Sequence, residues 1–281
     1  MPKTSLIHAD DPLLIFGGAY SNLEATQAML AEAARRGVAP ANIICTGDVV
    51  AYCADAQATL DLVMQSGVRV VMGNCEESLA VSADDCGCGF EAGTACDLLS
   101  ATWYAYAAKQ VRDDQRAWMG ALPRRLDIEI GGSRLAVIHG GVEQIAGYVF
   151  ASTNAAEKSR QIALTGADGV IGGHCGLPFT QIIDGRLWHN AGAIGMPANE
   201  GAPRVWFSMV TPEGGGIRVS HHALDYDHAT AASKMRAAGL PMGYADALSS
   251  GLWPSLDVLP QTERRATGAP LDLPDIFWPA P

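Results

Sequence analysis

The sequence predicts an α/β fold whose first part is a parallel sheet covered by helices. Three continuous apolar runs, at residues 13–16, 43–46 and 68–72, have the length and composition of buried strands. The segments between them carry apolar side chains at helical spacing. Continuous apolar strands that alternate with amphipathic helices are typical of parallel sheets with both faces covered.

The two helices between these strands have their own start and stop signals. The first helix should begin with a capping box formed by Ser21 and Glu24, and Gly37 should end it. The second helix should be capped by Asp55 and should end at Gly67. These signals predict strand–helix–strand units joined by short loops.

The middle of the chain departs from the alternation of strands and helices. Residues 82–100 form a predicted loop insertion rich in glycine, acid and cysteine, and residues 101–122 form a helical region. Two strands flank Gly131-Gly132, so residues 126–139 should form a hairpin. A helix is expected at residues 154–164, followed by a short buried strand.

The last third is predicted to be mainly strands. Short strands follow one another, and they should form a second, mainly antiparallel sheet: 181–183, 186–189, 204–210 and 217–220. One helix at 228–238 then precedes Pro-rich coil. We therefore expect one domain over residues 1–245 and a Pro-rich C-terminal tail over residues 246–281.

Composition narrows the possible partners. The chain has 281 residues, 48% of them hydrophobic, with a net charge of −11 and a pI near 5.0. This charge disfavours nucleic acid and anionic membranes as partners. The N-terminus lacks the pattern of a signal peptide, so a cytoplasmic location is expected. In that compartment structural disulfides are not expected, and the seven cysteines are candidates for metal or redox chemistry.

Four polar residues follow predicted strands at glycine-flanked turns: Asp48, Asn74, His139 and His174. The carboxyl ends of parallel strands meet at one edge of a sheet, where ligand sites form. One carboxylate, one amide and two imidazoles suit a divalent cation such as Mn, Fe or Zn. For any one of these residues alone, capping or core hydrogen bonding would be the better explanation. Together they predict a metal site.

The order of these motifs resembles that of the calcineurin-like metallophosphoesterases, and is most similar to their small bacterial phosphodiesterase branch. The motifs are Gly47-Asp48, Gly-Asn-x-Glu at 73–76, His139-Gly140, and Gly-His at 173–174 before Leu-Pro-Phe. The resemblance implies a four-layer αββα sandwich of two mixed β-sheets flanked by helices. It also implies a phosphoester hydrolase with two metal ions, bridged by the aspartate, that activate a water.

Three departures from the family pattern concern only one of the two implied metals. Gly18 stands where the family has an aspartate, and Tyr20 and Gly176 stand where it has histidines. The resemblance assigns the retained four residues to the other metal. We therefore expect one divalent cation per chain, with Asp48, Asn74 and His139 also catalytic and the other site lost or rebuilt.

Several other side chains could supply accessory or substitute ligands: Cys53, Cys75, Cys175, Cys86, Cys88, Tyr20 and His189. Cys75 stands where many relatives have a histidine that can protonate the leaving group, which weakens general-acid help. Each cysteine could equally be a small buried apolar residue. Tyr20 could bind a phosphate or only pack, and His189 could line the cleft.

Three functions remain open from the sequence. The chain could be a metal-dependent phosphodiesterase or phosphatase that acts on a small phosphorylated substrate. It could instead be a catalytically weak or inactive protein of the same fold that binds a phosphorylated ligand or a metal. A third alternative is thiol chemistry at Cys75 or Cys175. The sequence leaves open whether the chain forms a homo-oligomer.

Overall fold

A computed structural model describes residues 6–281. Twelve strands are found in these residues: β1 Leu6–Ala9, β2 Leu13–Phe16, β3 Ile43–Cys45, β4 Arg69–Val70, β5 Arg125–Ile130, β6 Ser133–Ile138, β7 Gly169–Gly172, β8 Phe179–Ile183, β9 Arg186–Asn190, β10 Val205–Glu213, β11 Gly216–Leu224 and β12 Ile276–Pro279. The prediction that the N-terminus lacks a signal peptide rests partly on residues 1–5, which lie outside the described part.

The same residues contain nine α-helices: α1 Leu23–Arg35, α2 Ala56–Ser66, α3 Asn74–Ala80, α4 Ala95–Gln110, α5 Asp113–Ala121, α6 Ala155–Thr165, α7 His228–Ala237, α8 Met242–Ser250 and α9 Gln261–Arg265. A short 3₁₀ helix, Pro40–Asn42, leads into β3. Within residues 6–281 no helix combines the length and the apolar character needed to cross a bilayer.

The strands form two six-stranded mixed sheets. The first sheet has the order β12-β11-β10-β2-β3-β4, and the second has the order β1-β5-β6-β7-β9-β8. In the first sheet β2, β3 and β4 are parallel, as their continuous apolar sequences predict. In the second sheet β6, β7 and β9 are parallel neighbours.

Alternate side chains of the central strands enter different core layers. Leu13 and Ile15 of β2 pack between the two sheets, whereas Leu14 and Phe16 pack against the helices on the first sheet. On the second sheet Val137 packs toward the first sheet, and its neighbours in β6 pack toward α6. Because successive strand residues point to opposite faces, every central strand must be apolar on both sides. The layers are therefore helix, sheet, sheet and helix, which confirms the predicted αββα sandwich.

Two predictions about the strands are wrong. The late strands do not share one sheet, since β8 and β9 belong to the second sheet whereas β10 and β11 add to the first. The second sheet is also mixed and not mainly antiparallel, because β1 pairs in parallel with β5 and β7 in parallel with β9. Local alternation identifies a strand, but it carries no information about the edge on which that strand pairs.

The first helix is capped by Asn22 and not by Ser21. The Asn22 Oδ1 accepts a hydrogen bond from the Ala25 N–H at 3.1 Å. Ser21 has a φ of 56° and belongs to the turn before the helix. Glu24 forms an ion pair with Lys234 of α7, so it does not complete a capping box. The second helix begins after Asp55 as predicted, but its side chain makes no capping hydrogen bond.

The C-terminal region is not the predicted Pro-rich coil. It contains α8, α9 and β12, and β12 pairs with β11 at the edge of the first sheet. Trp278 of β12 is 1% exposed, and its indole N–H donates to the Gly185 carbonyl at 2.8 Å. The final strand therefore closes the layer between the sheets.

Two buried polar networks cross the fold. Between the sheets, His189 lies between the hydroxyls of Thr180, at 2.8 Å, and Ser208, at 2.7 Å, and Thr180 also contacts His221 at 2.9 Å. Outside the second sheet the ammonium of Lys158, 1% exposed, donates to the carbonyls of residues 150 and 151. These contacts pair both ring nitrogens of His189 and the ammonium of Lys158, which burial would otherwise penalise.

Candidate metal centre

The four predicted ligands converge where strand ends of the two sheets meet. Asp48 follows β3 and Asn74 follows β4 in the first sheet, whereas His139 and His174 follow β6 and β7 in the second. The His139 Nε2 lies 3.0 Å from the Asn74 Oδ1, 3.0 Å from the His174 Nδ1 and 3.2 Å from the Asp48 Oδ2. The ligand atoms of Asp48, His139 and His174 all lie within 4.8 Å of one another.

The hydrogen-bond chemistry of this cluster suits a cation. The His139 Nδ1 donates to the Thr46 carbonyl at 2.7 Å, so the neutral ring presents a lone pair at Nε2. The Asn74 amide nitrogen donates to the Cys86 carbonyl, so its oxygen also faces the cluster as an acceptor. The Asp48 carboxylate adds another acceptor. A divalent cation could take the place of a proton at the His139 Nε2, where these acceptor atoms converge.

Burial and the neighbouring charges together set the pKa values of the two histidines. Burial opposes ionisation of His139, but the Asp48 carboxylate outweighs it and raises the pKa of His139 above its usual value. Burial and the neighbouring His139 lower the pKa of His174 to about 3. His174 is therefore neutral near pH 7, as a metal ligand must be. Within residues 6–281 its buried Nε2 has no hydrogen-bond partner.

Backbone strain marks the same turns. Asp48 and His174 have φ values of 57° and 55°, in the left-handed region that non-glycine residues rarely occupy. Gly73 allows the Asp48 turn to come close, since a Cβ there would lie 2.3 Å from the Asp48 Oδ1. Such strain persists only where neighbouring groups hold it, and it is frequent at functional sites.

Glu76 supports the candidate centre, and the sequence analysis did not assign it a role. It is fully buried, and its carboxylate accepts hydrogen bonds from the N–H groups of Asp48 at 2.7 Å and Gly73 at 3.0 Å. Burial and the nearby Asp48 raise its pKa to about 7. Glu76 therefore holds the strained Asp48 turn in place. Its position at the end of the Gly-Asn-x-Glu motif was the available signal.

Cys86 and Cys88 are joined by a disulfide, contrary to the expectation that structural disulfides are absent. The Cys86 carbonyl accepts the Asn74 amide at 2.9 Å, and the Cys88 Sγ lies 3.4 Å from the same nitrogen. The disulfide consumes both thiols, so neither is a free thiolate ligand in this state. The predicted insertion is a loop only up to Thr94, where α4 is capped.

The other candidate cysteines are buried and protonated. The thiols of Cys53 and Cys175 point to the carbonyls of Gly195 and Leu177, each at 3.7 Å. Burial raises the pKa of Cys175 to about 12 and raises the pKa of Cys53 and Cys75 as well. These environments oppose the thiolate form, so they favour a packing role over ligation or nucleophilic chemistry.

Tyr20 lies against Gly18 and near Gly176, the other two positions where the sequence differs from the family pattern. A Cβ built on Gly18 would lie 2.2 Å from the Tyr20 Cζ, so the ring covers the space that an aspartate side chain at residue 18 would need. A Cβ on Gly176 would lie 3.6 Å from the Tyr20 hydroxyl. Tyr20 itself is 6% exposed.

His189 does not line the cleft. It is fully buried between the sheets, and both of its ring nitrogens are paired with hydroxyls. Burial, with His221 nearby, lowers its pKa well below the usual value. Alternation along β9 directs this side chain to the layer between the sheets, which the sequence alone did not determine.

Comparison with known proteins agrees with this architecture. A metallophosphoesterase from Sphaerobacter thermophilus superposes with a TM-score of 0.69 at 22% identity, over 87% of this chain and 100% of its own. A hypothetical protein, PH1004, from Pyrococcus horikoshii OT3 superposes with a TM-score of 0.71 at 16% identity, over 86% and 99%. No curated protein matches the sequence. The profile of the calcineurin-like phosphoesterase superfamily domain matches residues 12–212, so this chain belongs to that superfamily.

Proposed function

We propose that this chain is a metal-dependent phosphoester hydrolase that holds one divalent cation, Mn, Fe or Zn, between Asp48, Asn74, His139 and His174. The observation that carries the proposal is the convergence of the Asn74 Oδ1, His174 Nδ1 and Asp48 Oδ2 on the His139 Nε2, at distances of 3.0 to 3.2 Å. Membership of the calcineurin-like phosphoesterase superfamily supports the reaction class.

The protein groups around this site orient the ligands. The Thr46 carbonyl fixes the His139 ring in the tautomer that presents Nε2. Glu76 holds the Asp48 backbone, and the Cys86 carbonyl turns the Asn74 oxygen toward the cluster. A divalent cation bound there would polarise a phosphoryl oxygen and lower the pKa of a water.

The second site of the family is lost in this proposal. Gly18 and Gly176 offer no side-chain donor, and the Tyr20 ring fills the space beside Gly18. Cys75 replaces the family histidine, and burial raises the pKa of its thiol. A single cation cannot stabilise both the attacking and the leaving oxygen. The protein should therefore favour esters with a good leaving group.

Metal content tests this proposal directly. Protein purified without a chelator or a His tag should contain about one Mn, Fe or Zn per chain by elemental analysis. Asp48→Asn and His139→Ala should lose the metal and the hydrolysis of an activated phosphodiester. His8→Gln is the matched control, because His8 lies on the edge strand β1. Wild-type activity in both site variants would refute the proposal.

The alternative is a protein of the same fold that binds a small phosphorylated ligand without turnover. The filling of the second site by Tyr20 favours it, since a binder needs no leaving-group clamp. Turnover proportional to protein concentration, abolished by a chelator and restored by one defined metal, would exclude this alternative. Metal binding without turnover on any ester tested would support it.

A further inference from the structure

A cavity of about 60 Å³, partly open to solvent, lies beside the candidate metal centre. His174 forms part of its wall, so the cavity adjoins the metal centre. The described lining residues include no Asp, Glu, Lys or Arg. Aromatic side chains dominate the wall. Besides His174, they are Tyr20, Tyr52, Phe90, Tyr148, Tyr244 and Trp253.

The tyrosine hydroxyls divide into two groups. The chain has seven tyrosines. Three lie outside the cavity lining, and their hydroxyls are paired: Tyr104 with the Ala83 carbonyl, Tyr106 with the Ala54 carbonyl, and Tyr226 with the Asn22 amide. Four line the cavity, and within residues 6–281 their hydroxyls have no protein partner: Tyr20, Tyr52, Tyr148 and Tyr244. Tyrosine hydroxyls that are largely buried normally find a partner, so these four are available to a ligand.

The rings form a continuous wall that starts at the metal centre. The Tyr148 ring lies 4.3 Å from the His174 ring, centroid to centroid. On the other side Tyr52 contacts Tyr20 at 4.9 Å and Tyr244 at 4.7 Å. Trp253 is fixed by its indole N–H, which donates to the Pro197 carbonyl at 2.7 Å. Aromatic faces and edges of this kind pack well against a planar ring.

We propose that this cavity binds a planar, uncharged aromatic group of the phosphoester, such as a nucleobase or an aryl ring, while the phosphoryl group lies at the metal centre. A second phosphate or a carboxylate in the cavity would be buried without a counter-charge, which is costly. The tyrosine hydroxyls would pair with polar edges of the ring. This inference rests on the proposed function, because it assigns the substrate class of the same site.

Calorimetric titration of the metal-loaded protein with probes that cannot be hydrolysed tests the cavity. Phenylphosphonate should bind on the order of tenfold more tightly than methylphosphonate, and adenosine should bind where ribose does not. Tyr148→Leu and Trp253→Leu should bring the phenyl-to-methyl ratio close to one and leave the affinity for methylphosphonate unchanged. A preference for phenylphosphonate alone identifies an aryl group, whereas binding of adenosine identifies a nucleobase.

A second set of variants keeps the test valid if the leucine variants fail to fold. Tyr52→Phe and Tyr244→Phe remove only hydroxyls and should weaken adenosine or phenylphosphonate binding several-fold. Tyr106→Phe is the matched control outside the cavity and should leave these affinities unchanged. Equal affinities for aromatic and non-aromatic probes would overturn the inference, as would affinities that no cavity variant changes. Retained aromatic preference without hydrolysis of any ester would refute the proposed function and leave the inference standing.

Discussion

Gly18→Ala should destabilise the protein because of one contact. The added Cβ would lie 2.2 Å from the Tyr20 Cζ, whereas carbon atoms in contact normally stay roughly 3.5 Å apart. The ring must therefore move by more than about 1 Å. The ring cannot do so freely, because it packs against the Tyr52 ring in a T-shaped arrangement, with centroids 4.9 Å apart. Overpacking of this kind costs about 1–3 kcal/mol, partly offset by the lower entropy of the unfolded chain.

A double-mutant cycle isolates this contact. Tyr20→Ala alone removes the ring and should cost about 3 kcal/mol. In the double variant the methyl group added at residue 18 no longer meets a ring, so its additional cost should fall to near zero. The expected coupling between residues 18 and 20 is therefore about 1–3 kcal/mol.

Equilibrium unfolding in urea, followed by near- and far-ultraviolet circular dichroism, measures all three variants. Gly172→Ala is the matched control, since its Cβ would meet only atoms at 3.8 Å or more. Additive free energies, or a Gly18→Ala variant as stable as the control, would refute the conclusion that the Tyr20 ring fills the space beside residue 18.

Three further variants test other parts of the fold. Burial, with His222 nearby, lowers the pKa of His221 from 6.5 to about 4, so the unfolded chain binds the proton first as pH falls. Stability should therefore be lost between about pH 6.5 and pH 4, by up to about 3 kcal/mol, and His221→Gln but not His8→Gln should flatten this loss in urea titrations. Lys158→Met should cost about 1–3 kcal/mol by removing the hydrogen bonds from the ammonium to the carbonyls of residues 150 and 151 and to the Gln181 Oε1, and an unchanged urea midpoint would contradict this. Trp278→Ala should cost about 3–5 kcal/mol in the same assay if β12 is part of the core, and a cost below about 1 kcal/mol would mean that it is not.

Much of the secondary structure follows from local pattern. The strands near residues 13–16 and 43–46 are continuous apolar runs. A short run that is apolar on both faces is typical of a central strand with both faces of its sheet covered. The hairpin around Gly131-Gly132 was equally predictable, because both glycines have positive φ in the turn. Helix α6 begins after Asn154 and ends at Gly166, as capping chemistry requires.

The C-terminal region could not be predicted in this way. Prolines and short polar segments indicate coil, but the contacts that order β12 are made by Trp278 with the distant Gly185 and with β11. The disulfide between Cys86 and Cys88 was missed for a different reason. The expected compartment argued against it, and spacing alone does not determine pairing.

The sequence by itself determined the order of the elements and the residue types at the strand ends, because periodicity and glycine placement act locally. It therefore identified Asp48, Asn74, His139 and His174 as one group. Only the tertiary structure decided how β8 to β11 divide between the two sheets, since strand pairing depends on contacts far apart in the chain. The aromatic cavity could also be recognised only in the tertiary structure, because Tyr52, Tyr148 and Tyr244 come from separate segments that meet only when the layers pack.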